Sequence, residues 1–222
     1  MVQLMDSLYS AIESSPEFVS FLKAYCSDEG FRCSGAPLSA PFLLLARAQL
    51  RRRRPLLFIA RDEREAERAK RELASFGLPG VEVFPALEVL PRDEVKAEPE
   101  LVGERFRIAS ALRASPGLAI AATAVAAAQP LPPPAEIEVH VLRLRPGDRC
   151  ELVELARWLV KAGYEPADPV LVKGQFARRG GIVDVFSGHS LYPLRMELEG
   201  DRIETLRSFD PQSQASRGEE RF

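Results

Sequence analysis

The chain is poor in the residues that build small chemical sites. Among its 222 residues there are three cysteines, Cys26, Cys33 and Cys150. They are odd in number and widely spaced, which fits neither a disulfide framework nor a zinc site. The two histidines, His140 and His189, have no carboxylate or cysteine at ligand spacing, so both are expected on exposed surface. No apolar run approaches the ~18 residues of a membrane span. The opening MVQLMDSLYSAIESSPE lacks the pattern of a signal peptide, and the cytoplasm is the expected compartment. Basic excess is also missing: 30 Lys and Arg stand against 32 Asp and Glu, a net charge of -2. That argues against a dedicated nucleic-acid binder. No stretch reads G-x-x-x-x-G-K-[ST], the loop whose glycines and lysine cradle nucleotide phosphates, and no internal repeat is present.

What is present suffices for a folded core, with 46% hydrophobic and 28% charged residues. The length suits two domains of roughly 100 residues each. Leu4 to Ile12 reads as a helix, and Ser15-Pro16-Glu17 opens another over Phe18 to Tyr25, with Ser15 as N-cap and Pro16 at N1. Phe31 to Cys33 suggests a short strand, Phe42 to Leu50 an apolar helix, and Pro55 to Ala60 a buried strand. Asp62 caps a charged amphipathic helix running to Phe76 and ended by Gly77. Val81 to Phe84 reads as a strand, Pro99 or Leu101 to Arg113 as a helix, and Gly117 to Ala122 as a buried strand before an alanine-rich segment ending at Gln129. This alternation predicts an α/β layer with a largely parallel sheet over 1–129.

The stiff run Pro130 to Pro134 suits a boundary. Beyond it, Glu136 to Arg145 alternates as a strand and Leu152 to Ala162 reads as an amphipathic helix carrying Trp158. Then GQFARRGGIVDVFSGHSLYPLRMELEGDRIETLRSFD, Gly174 to Asp210, alternates apolar and polar residues between glycine-rich turns, as an antiparallel meander does. With Leu194, Met196 and Leu198 inward, Arg195, Glu197 and Glu199 face out together. Gly180-Gly181 permits a bulge or positive φ between two of the runs. The pattern therefore predicts an α+β half over 130–214, a helix on an antiparallel sheet that displays arginines.

QFARRGGIVDVF followed by PLRMELEGDRIETLRSFDPQSQ resembles domain 2 of the excision-repair protein UvrB. It resembles more closely the UvrB-like module of the bacterial transcription-repair coupling factor (Mfd) family. The resemblance implies that 1–129 is a degenerate helicase-like layer without a nucleotide site and 130–214 a UvrB domain 2-like UvrA-binding domain. Residues 215–222 are then a tail or the start of a further domain. At the place of the UvrB phosphate loop this chain has GAPLSAPF, with Gly35 and Ser39 retained in a loop, Pro41 where the lysine falls and Phe42 where the metal-binding hydroxyl falls. The long aromatic hairpin of UvrB would fall near Phe84 to Glu100, where FPALEVLPRDEVKAEPE has no tyrosine cluster and too little aromatic surface to stack bases.

The resemblance maps UvrA binding onto Arg179 and Arg195, whose guanidinium forks suit bidentate contact with carboxylates. Gly180 adjoins the first of them. Glu199 departs from the aromatic residue frequent at that position in the family, and Arg178, on the opposite strand parity, is a peripheral candidate. Asp184 and Glu197 sit inside strand patterns and read as salt-bridge partners rather than a catalytic pair. Arg51 to Arg54 reads as a helix C-terminus, where cations complement the dipole. The expectation is a non-catalytic adaptor without cofactor, membrane contact or small-molecule substrate. It binds UvrA and brings excision repair to RNA polymerase stalled at damage, polymerase and DNA being contacted only through domains absent from this chain, a fragment or truncated relative. The alternatives are a UvrB-like DNA-dependent ATPase fragment and, more weakly, direct DNA binding through Arg51 to Arg54.

Overall fold

A computed structural model describes residues 2–27, 29–52, 54–88, 97–115, 117–139 and 141–219. His140, Arg53 and residues 89–96 of the segment noted above lie outside the described residues. The described chain divides into two compact units, Met1–Ala86 with Ala111–Gln129, and Leu87–Ser110 with Pro130–Phe222. The helices are α1 (Val2–Glu13), α2 (Pro16–Cys26), α3 (Ala40–Arg52), α4 (Glu63–Ser75), α5 (Pro99–Ala114), α6 (Ala124–Ala128), α7 (Pro134–Val139) and α8 (Leu152–Lys161). The strands are β1 (Leu56–Ala60), β2 (Val81–Phe84), β3 (Ala119–Thr123), β4 (Glu165–Pro166), β5 (Gln175–Arg179), β6 (Ile182–Phe186), β7 (Leu194–Glu199), β8 (Arg202–Phe209) and β9 (Ser216–Glu219).

In the first unit β1, β3 and β2 form a parallel sheet with β3 central. The central strand is built of small residues: Ala119, Ala121 and Ala122 are fully buried, and α4 lays Ala66, Ala69 and Leu73 into the same core. Alanine on both sides lets backbone approach backbone closely, so the volume is filled by Phe42 of α3, tilted against Phe58 at 5.6 Å between ring centroids. Asp62 caps α4 through the Glu65 amide, and Ser15 caps α2 through that of Phe18 with Pro16 following, as the sequence predicts. Two expectations fail here. Phe31 to Cys33 forms no strand. β1 is covered on one face only, leaving Leu57 and Ile59 57% and 50% exposed; an apolar run of five cannot by itself distinguish burial on two faces from burial on one.

The arginines closing α3 are held within this unit. Arg47 and Arg51 both donate to the Glu13 carboxylate at the end of α1, and Arg52 donates to the Tyr25 carbonyl. Burial pushes the Glu13 pKa up, but the hydrogen bonds from Arg51 and Arg47 outweigh it and hold the group below the ordinary glutamate value. A depressed carboxylate pKa contributes stability above the unfolded-state value and loses it as pH falls through the folded-state value. Glu13→Gln is therefore expected to destabilise the unit by about 1 kcal/mol at about pH 7, and by less at about pH 3. Urea unfolding followed by circular dichroism at the two pH values checks it.

In the second unit six strands run β4-β5-β6-β7-β8-β9, antiparallel except for the β4–β5 pair. The sheet is thus mixed, where the sequence pattern predicts an antiparallel one. Leu155 and Leu159 of α8 pack on Phe176, Val183, Met196, Ile203 and Leu206 from one sheet face. Full burial of such side chains contributes about 1.5–3 kcal/mol each. The strand expected over Glu136 to Arg145 is absent. Residues 134–139 form α7, whose first turn closes as the Pro133 carbonyl accepts from the Glu136 and Ile137 amides, and 141–145 carry no strand. Pro134 at the first helical position supplies the helical φ that the alternation in the sequence conceals.

Candidate functional site

The meander folds as its alternation requires. Between β5 and β6, Gly180-Gly181 is a two-residue hairpin loop, with Gly180 at φ +62° and Arg179 directly opposite Ile182. A Cβ on Gly181 would come within 2.9 Å of the Leu198 carbonyl oxygen, so the loop lies against β7. The register shifts fall elsewhere, between Glu197 and Leu198 and between Ser208 and Phe209.

On the face away from α8 the register builds two cross-strand rows. One reads Arg179, Ile182, Glu197, Thr205, and the next reads Ala177, Asp184, Arg195, Arg207. In the first row Arg179, about half exposed, is paired with Asp168. Ile182 stays 37% exposed beside it, and Thr205 donates to Glu197 at 3.0 Å. In the second row Arg195 grips Asp184 with both prongs, Nε to Oδ1 at 2.7 Å and Nη2 to Oδ2 at 2.8 Å. Its guanidinium also lies 4.5 Å from the centre of the buried Phe209 ring and donates to Gln214. The hydrogen bonds to Asp184 raise the Arg195 pKa above the ordinary arginine value, against the opposing effect of burial.

Arg195 therefore faces out of the core as the parity predicts, yet its side chain is only 19% exposed. It is a fixed, oriented fork rather than a waving surface cation. Glu199 is exposed at the end of β7, opposite Arg202 at the next hairpin. Arg178 points to the other side of the sheet, beside α8, and does not join these residues. Sequence reasoning missed Ile182, Arg207 and Asp168. The first two share strand parity with Arg179 and Arg195, which the registers would have shown; Asp168 reaches the face from a loop that carries no periodic signal.

The loop Gly35 to Phe42 has another construction. Ser39 donates to the Glu72 carboxylate at 2.8 Å just before α3 begins, and Arg68 donates to the same oxygen. Phe42 is buried in the core. A carboxylate thus already takes the hydroxyl beside the helix N-terminus, where a phosphate would need that charge position free. His189 is exposed, and no group of three or more His, Cys, Asp or Glu side chains among the described residues could hold a metal ion. Cys150 is buried in the second core, which raises its thiol pKa. No helix among the described residues is long and apolar enough to cross a membrane.

The outer sheet face thus sets two arginine–aspartate pairs beside Ile182, which stays 37% exposed. Residues 142–221 match the UvrB interaction domain. Over most of its length the chain is also similar to transcription-repair-coupling factors. It is similar to the transcription-repair-coupling factor of Myxococcus xanthus, 35% identical over 194 residues that cover 82% of the chain and 16% of that protein. The Bacillus subtilis factor is 27% identical over 216 residues, 96% of the chain and 18% of that protein. The Escherichia coli factor is 28% identical over 171 residues, 77% and 15%. The chain thus spans about a sixth of the length of the curated relatives it matches.

Proposed function

We propose that the chain is a non-catalytic adaptor module, a degenerate helicase-like layer over 1–129 joined to a UvrA-binding domain over 130–214. The observation that carries the reading is the outer sheet face, where Arg179 and the Asp184-gripped Arg195 flank Ile182 in adjacent rows. Orientation is what a docking arginine gains from such a grip. A guanidinium held in place loses little side-chain entropy on binding, and its remaining N–H groups can meet a partner carboxylate. Gly180 holds Arg179 and Ile182 opposite one another, and Glu199 adds a charge at the rim that favours a basic or polar contact over an aromatic one. In the whole factor this module recruits excision repair to stalled RNA polymerase, with polymerase and DNA contacted through other parts. The Ser39–Glu72 bond supports a loop without nucleotide, against the reading of a DNA-dependent ATPase fragment.

Binding of purified UvrA to the immobilised chain tests the proposal. Arg179→Ala is expected to weaken it roughly tenfold or more without changing stability, because exposed ion pairs contribute about 0–1 kcal/mol to folding. Absence of binding by the parent chain would overturn the adaptor reading, and undiminished binding by Arg179→Ala would remove this face from it.

A further inference from the structure

The opposite side of the second unit carries a surface of different character. Helix α8 has two stripes. Leu155 and Leu159 enter the core, whereas Val153, Ala156, Arg157, Val160 and Lys161 recur at helical spacing on a flank that stays open. Val153 and Val160 are 48% and 58% exposed. Together with Arg178 of β5 they line a shallow groove of about 440 Å³. Among the described residues, Arg157, Lys161 and Arg178 make no hydrogen bond or ion pair. That separates them from Arg179 and Arg195, each neutralised by an aspartate on the outer face.

We propose that this groove is a second docking surface, taking an acidic amphipathic helix of a partner protein. Its apolar floor of Val153, Ala156 and Val160 matches a stripe of aliphatic side chains, and the three unpaired cations around it match carboxylates on the flanks of that stripe. A nucleic acid would find the charges but no aromatic ring to stack on, since none lines the groove. Cations without internal partners keep their full attraction for an incoming anion, and exposed valines recover burial free energy only when covered. Arg178 belongs to this surface, not to the outer face.

The test uses the whole chain and a fluorescein-labelled helical peptide of Glu and Leu, with leucines at i, i+3, i+4 and i+7, read by fluorescence anisotropy. The parent chain binds it saturably, more weakly as salt rises. Val160→Glu, and separately the pair Arg157→Glu with Lys161→Glu, raise Kd roughly tenfold or more while urea unfolding stays at the parental midpoint. Both variants keep parental UvrA binding. Failure of the Glu/Leu peptide to bind, or equal binding by the variants, would overturn the proposal. So would equal binding of a Glu/Gln peptide without leucines, which would leave charge alone and no groove. Tighter, variant-sensitive binding of single-stranded DNA or of anionic vesicles would give the surface to another class of ligand, and loss of UvrA binding in the variants would merge it with the outer face.

Discussion

Arg195→Ala lowers the unfolding free energy of the second unit by about 3 kcal/mol, the lower end of the ~3–5 kcal/mol for breaking a buried ion pair. The cost comes from what stays behind. The Asp184 side chain is 3% exposed and accepts from Arg195 through both oxygens, so truncation strands a buried carboxylate in mid-sheet. Arg195 is itself 19% exposed, which admits some water and keeps the loss below the upper end. Its contact with the Phe209 ring, of about 0.5–2 kcal/mol, is part of that loss. Urea unfolding followed by Trp158, the single tryptophan, on the helix that packs against this core, measures the change. A variant as stable as the parent would mean that the pair contributes nothing to the fold.

The same geometry changes how a binding experiment must be read. Loss of UvrA binding by Arg195→Ala could come from a missing contact or from a loosened sheet. Replacing both partners, Asp184→Val with Arg195→Met, removes the stranded charge along with the fork. Such a double replacement is expected to recover most of the stability, within about 1 kcal/mol of the parent, and still to bind UvrA poorly. If it binds as the parent does, Arg195 serves the fold alone, and the docking role rests on Arg179 and Ile182.

Much of this sheet was legible in the sequence, because alternation, paired glycines and Gly200-Asp201 are local signals that antiparallel pairing obeys directly. The inward set Met196, Val183 and Phe176 and the outward set Arg195, Asp184 and Ala177 follow from parity once the hairpins are placed. The exposure of Arg195 was not legible. It depends on Asp184 two strands' length away in sequence and on Phe209 beyond the next hairpin, and parity distinguishes faces without saying what covers them. The α7 region misleads for a related reason: Glu136 to Val139 alternates, but its backbone is committed by the prolines before it. In the first unit the caps of α2 and α4 were readable from single residues, while the open face of β1 depends on what stands opposite Leu57 and Ile59. The nucleotide loop was read from the lysine it lacks. Glu72, the residue that takes up the serine hydroxyl, comes from a different helix with no motif to announce it.

Gly188→Ala is the substitution expected to damage the second unit most without touching a charge. A Cβ at this position would fall 2.0 Å from the Pro99 carbonyl oxygen and 2.7 Å from its carbon, both backbone atoms that no rotamer change can move aside. Two further glycines lie in the same contact: a Cβ on Gly174 would touch the Pro99 ring at 3.0 Å, and one on Gly103 of α5 would press on the His189 amide at 3.0 Å. Lys173 and Glu100 close the contact with an ion pair at 2.6 Å. The first turns of α5 are thus seated on the loops around Gly174 and Gly188 with no room for a methyl group, and a clash with backbone must displace one of the two. The expected cost is about 2–4 kcal/mol, in the range of severe overpacking and backbone strain, with faster amide exchange at Val102 and Gly103 as the seat loosens. Gly117→Ala, where a Cβ meets nothing within 4 Å, supplies the contrast and should leave stability within about 0.5 kcal/mol of the parent. Equal thermal stability of the two variants would mean that the helix glides off its seat freely, and that its packing against these glycines does not hold the second unit together.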